Sequence, residues 1–130
     1  MLNLCFGINA QTKMEETSKV VRSSEVVVKV GLDENNIPVR MDWMAESSGG
    51  FTECKGMLLS IFDFDTKDTL KIDLWTTEMQ VEEMDRFMFQ TLRGLADTYH
   101  KATQNHELAS AMQQFVEYFG QKTEILTAEK

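Results

Sequence analysis

The chain has little of what reactive sites are usually built from. Two of its 130 residues are cysteines, two are histidines and seven are glycines. Cys5 and Cys54 lie in unlike contexts with no metal-ligand spacing near either, which argues against a disulfide framework and fits a reducing cytoplasm. No apolar run is long enough to span a bilayer, so no membrane insertion is expected. The opening MLNLCFGINAQ lacks the basic front and long apolar stretch of a secretory signal. Cations are outnumbered, 13 Lys and Arg against 21 Asp and Glu, giving a net charge of -8. A phosphate-binding surface needs clustered Lys and Arg to displace counterions, so nucleic acid is not an expected partner.

Catalytic constellations are equally scarce. His100 and His106 are six apart and do not share a helical face, and no Ser or Cys has an identifiable base partner. Gly49 and Gly50 lack the spacing of a phosphate loop. The acidic stretch Asp63, Asp65, Thr66, Lys67, Asp68 invites a calcium reading. It fails, because Asp68 stands where the loop glycine belongs and Leu74 where the bidentate Glu belongs. Glu82 and Glu83 are adjacent on a helix, about 100° apart, where the positive end of the macrodipole favours carboxylates. The expectation is therefore no enzyme, no cofactor, no metal and no catalytic residue.

What is present is architecture. Val26, Val28, Val30 and Leu32 alternate with Val27, Lys29 and Gly31, and Asp33 to Asn36 form a turn. Pro38 opens a second strand with Val39, Met41, Trp43 and Ala45 on one side, and the two should make a hairpin. Ser47 to Gly50 break the chain. CKGMLLSIFDF, apolar on both faces, fits a central strand or a short helix. Leu70, Ile72 and Leu74 alternate in a fourth strand. Thr77 and Gln80 have capping-box spacing for a helix from Glu78. Its broad apolar arc holds Met84, Met88, Leu92, Leu95 and Tyr99, with Phe87 and Phe89 on its shoulders. Asn105 caps a second helix with Leu108, Ala111, Met112, Phe115 and Phe119 as one stripe and Gly120 as its stop, and the short link makes the helices antiparallel neighbours.

The expected fold is α+β: a four-stranded, mainly antiparallel sheet followed by two antiparallel helices packed on one face. Residues 1–24 read as a flexible arm in which Met14 offers a second start, residues 25–120 as one domain, and residues 121–130 as a polar tail. Leu74, Met88, Leu95 and Phe115 should be buried together. Val27, Met44 and Trp75 point away from that core with Met57, Leu59 and Ile61 or the alternate set Leu58 and Phe62, and Phe89 is a second candidate contact unless the second helix buries it. Such a patch calls for a protein partner or a homo-oligomer, because monomers seldom leave it in water.

KIDLWTTEM, FMFQTL and ADTYHKAT, preceded by MLLSIFD, resemble the gliding-motility protein GldC family of Bacteroidetes from about Val26 to Phe119. The resemblance implies a small soluble accessory of the gliding or associated secretion machinery, acting through protein contacts with no assigned catalytic residue. The order of elements is also similar to that of the export chaperone SecB, without a shared motif. That analogy supplies the alternative of a holdase or adaptor for extended polypeptide.

Overall fold

The computed structural model describes residues 18–126. They hold five strands, a short 3-10 turn and two helices: β1 (Val26–Leu32), β2 (Pro38–Ala45), the turn Glu46–Ser48, β3 (Thr52–Cys54), β4 (Gly56–Phe62), β5 (Thr69–Trp75), α1 (Val81–Thr103) and α2 (His106–Lys122). The α+β class stands. The strands, however, form two sheets, β1-β2-β3 and β4-β5, where the sequence suggested one of four strands. The chain divides into two compact units, Val20–Gln80 with the strands and a second that contains both helices.

β1 and β2 make the expected hairpin. Val28 pairs with Trp43 and Val30 with Met41, so the alternation of the two strands puts their apolar residues on one face. The Asp33 carboxylate closes the turn by accepting from the amides of Asn35 at 2.8 Å and Ile37 at 3.0 Å, while Asn36 takes the left-handed conformation that Asn tolerates. β3 went unread. It is three residues long, and it places Cys54 beside Met41 on the other side of β2. Ser48 fixes the reversal into it, its hydroxyl accepting from the Ala45 amide and lying 2.7 Å from the Gly50 carbonyl.

The segment read as one central strand breaks at Lys55, whose carbonyl accepts from the Thr76 amide at 2.9 Å. Beyond that bond, among the described residues, β4 pairs with β5 alone, from Gly56 with Trp75 to Phe62 with Thr69. Ile72 and Leu74 thus belong to a different sheet from Met41 and Trp43, not to a shared core face.

α1 begins at Val81, three residues after the expected start. Thr76 is buried, and its hydroxyl and carbonyl take the amides of Glu78 and Met79, so the chain makes a turn where a first helical turn was expected. The α2 cap is as read, with Asn105 Oδ1 accepting from the Leu108 amide at 3.1 Å. Gln104 turns the two-residue link in the left-handed region and donates its amide to the His100 carbonyl.

Between the helices, the buried residues are Phe89 and Ala96 from α1 with Ala109, Val116 and Gly120 from α2. The expected cluster is overturned here: Leu95 is 52% exposed and Phe115 is equally open. Gly120 does not end α2, which runs on to Lys122. It is instead the point of close approach, since a Cβ there would lie 2.6 Å from Phe89 Cε1 and 2.7 Å from Leu126 Cδ1. Leu126 returns its amide to the Gly120 carbonyl, so the chain folds back on the helix end at that residue. The N-terminal arm lies largely outside the described residues; Ser18 to Glu25, which are described, form no strand or helix.

Candidate interaction surface

The register of the β4-β5 hairpin sorts its side chains. Directly opposed residues of an antiparallel pair share a face. Met57 with Leu74, Leu59 with Ile72, and Ile61 with Leu70 therefore form three apolar pairs on one face. Leu70 is 56% and Ile72 39% exposed, whereas the β4 members Met57 and Leu59 are half-buried. The reverse face carries Lys71 and Asp73, whose side chains pair at 2.9 Å, together with Trp75 and Phe62. An open apolar recess of about 300 Å³ lies past the end of β5, lined by Ile37, Pro38, Leu74, Trp75, Thr76 and Thr77.

The residues expected to form the sheet-face patch, and Phe89 as a second candidate contact, fall in four places. Met57, Leu59 and Ile61 stand together on the apolar hairpin face. Trp75, opposite Gly56, lies on the reverse of that hairpin. Val27 and Met44 pair on the three-stranded sheet, on the face that also carries Lys29, Arg40 and Asp42, and both are half-buried. Phe89 is 3% exposed beneath α2 and is no surface contact. The partners that complete the hairpin face are Leu70, Ile72 and Leu74, of which Leu74 is the one expected from the sequence to be buried. Their register follows from the six-residue connection between Phe62 and Thr69.

Several charged groups are engaged locally. Arg40 donates to both carboxylate oxygens of Asp42, at 2.9 and 3.0 Å, which holds that carboxyl below its usual range and raises the guanidinium. Burial pushes the Cys54 thiol up, away from the thiolate that a nucleophile needs. Asp63, first in the rejected calcium loop, accepts from the amides of Thr66 at 2.8 Å and Asp65 at 3.0 Å. These bonds lower its pKa. A depressed carboxyl contributes stability above the ordinary aspartate range and loses it as pH falls through the depressed value. In an NMR titration, the Asp63 carboxyl and the Thr66 amide should shift together with a midpoint below that of an ordinary aspartate. A midpoint at or above the ordinary value would refute the capped loop.

His100 and His106 come together across the helix link, Nε2 to Nδ1 at 2.7 Å, because the tight turn at Gln104 sets the two helix ends side by side. Sequence spacing had treated them as unrelated. They remain a pair: among the described residues no group of three His, Cys, Asp or Glu is placed to hold a metal ion.

These features describe a small α+β protein with a row of apolar residues on one hairpin face, several of them exposed. The chain matches the family described as gliding motility-associated protein GldC-like over residues 38–125, most of its length, and belongs to that family. No curated protein and no solved structure matches it. Among the described residues no helix is long and apolar enough to cross a membrane.

Proposed function

We propose that the chain is a non-enzymatic accessory of the gliding machinery, or of the secretion machinery associated with it, working in the cytoplasm through protein-protein contacts. Family membership supports the setting. The contact chemistry is supported by one observation, the apolar face formed by Met57, Leu59, Ile61, Leu70, Ile72 and Leu74 on a hairpin with exposed outer residues. Aliphatic side chains offer no acid, base or nucleophile; their contribution comes from leaving water, which another protein surface provides.

The test is removal of the gene from its native cells and complementation with the wild type or with an Ile61→Asp, Leu70→Asp double variant. Both changes sit at exposed positions, so the fold should survive, which circular dichroism checks. Loss of gliding or of associated secretion, restored by the wild type and not by the variant, is expected. Cells that glide and secrete normally without the gene would sink the reading. The same hairpin also carries the second reading, a holdase for extended polypeptide, since an apolar strand face suits an unfolded chain. Suppression of aggregation of an unrelated denatured protein, lost in the same variant, would favour it.

A further inference from the structure

We infer that β5 is a self-pairing edge, at which two copies of this chain join antiparallel about a two-fold axis through Ile72. Among the described residues β5 forms its ladder with β4 alone, and it is the more open strand of the hairpin, with Thr69 to Asp73 all exposed. An exposed seven-residue strand without proline is a template for another chain, unless its side chains forbid the pairing.

Here the side chains select one register. The strand reads TLKIDLW, with Lys71 and Asp73 placed symmetrically about Ile72. Pairing two copies about Ile72 sets Lys71 opposite Asp73 of the second copy and Asp73 opposite its Lys71. Leu70 then faces Leu74 of the second copy, and Ile72 faces Ile72. A shift by one residue would bring the apolar face of one copy level with the charged face of the other. Centring the axis on Lys71 or on Asp73 would oppose like charges, which disfavours the pair. Lys71 and Asp73 already hold each other at 2.9 Å within one chain. Two copies would therefore close a ring of four alternating charges on one face, while the apolar face runs unbroken across a four-stranded sheet. β4, with no charged residue, has nothing comparable to fix a register.

This inference is independent of the role proposed above, since a monomer that still supports gliding would overturn it and leave that role standing. The experiment is analytical ultracentrifugation of the full chain with a charge-reversal series, alongside hydrogen exchange at low and high concentration. The wild type should dimerise, with alternate β5 amides gaining protection and β4 amides unchanged. Lys71→Asp or Asp73→Lys should weaken the dimer by about tenfold or more, since each creates two like-charge oppositions across the axis. The double swap Lys71→Asp, Asp73→Lys should return it to within about threefold of the wild type. Recovery in the swap excludes simple misfolding of the single variants. A wild type that stays monomeric up to about millimolar concentration, the weak end of specific association, would overturn the inference. So would a dimer indifferent to both single reversals, or a β5 edge protected only by an added extended peptide.

Discussion

Phe89→Ala should lower the stability of the helical unit by about 3 to 5 kcal/mol, the range for deleting a buried aromatic ring. The ring is 3% exposed, and its Cε1 lies where a Cβ on residue 120 would be only 2.6 Å away. That proximity makes the same contact testable from the other side. Gly120→Ala gains roughly 1 kcal/mol of helix propensity. It also drives a methyl into the ring and into Leu126, an overpacking that costs about 1 to 3 kcal/mol. The Leu126 side chain lies beyond the helix end and can swing aside, whereas the enclosed ring cannot, so the clash should win. In a Phe89→Leu background the smaller side chain leaves room, and Gly120→Ala should become neutral or stabilising. Urea unfolding followed by far-ultraviolet circular dichroism would give the double-mutant cycle. Additive effects would show that ring and glycine do not meet. Leu95→Ala is the contrast: at 52% exposure it should cost less than about 1 kcal/mol.

That contrast shows where the sequence was legible. Alternation located β1, β2 and β5 because each keeps its period over seven or eight residues between clear turns, whereas β4, apolar on both faces, could equally be a strand or a short helix. Asn105 announced α2 because a cap is a local interaction, readable from its own neighbours. The helix contact was not legible, because α1 offers more than one apolar line. Met88 and Leu95 are the bulkier choice, yet the buried positions are Phe89 and Ala96, facing a helix that buries Ala109 and Gly120. Small residues let backbones approach, and a reading weighted by hydrophobic size passes over them. Sheet partners were hidden for a similar reason. Nothing in CKGMLLSIFDF shows that Lys55 gives its carbonyl to Thr76, and that single long-range bond marks the break between a short β3 on β2 and a β4 on β5. The apolar hairpin face emerged once the register was known. The sequence points to Met57, Leu59 and Ile61 as one exposed set, whereas the assumption of one sheet assigns Leu74, the residue opposite Met57, to the core.

In the strand unit, Met41→Ala should have the largest effect, about 2 to 5 kcal/mol. Met41 is fully buried and is the largest side chain so enclosed among the described residues. It sits on β2, the middle strand of its sheet, with Val30 on one side and Cys54 on the other. A side chain flanked by two strands cannot be replaced by one neighbour sliding over, so a cavity should remain. Met41→Leu keeps the volume and should cost less than about 1.5 kcal/mol. Trp43 lies two residues along the same strand face, and only Trp75 shares its fluorescence. In a Trp75→Phe background, Trp43 emission during urea unfolding therefore reports this sheet alone. A shift of midpoint at constant slope is the expected result for Met41→Ala. If Met41→Ala costs no more than Met41→Leu, the site has collapsed around the gap, and β2 is not the centre of the strand unit's core.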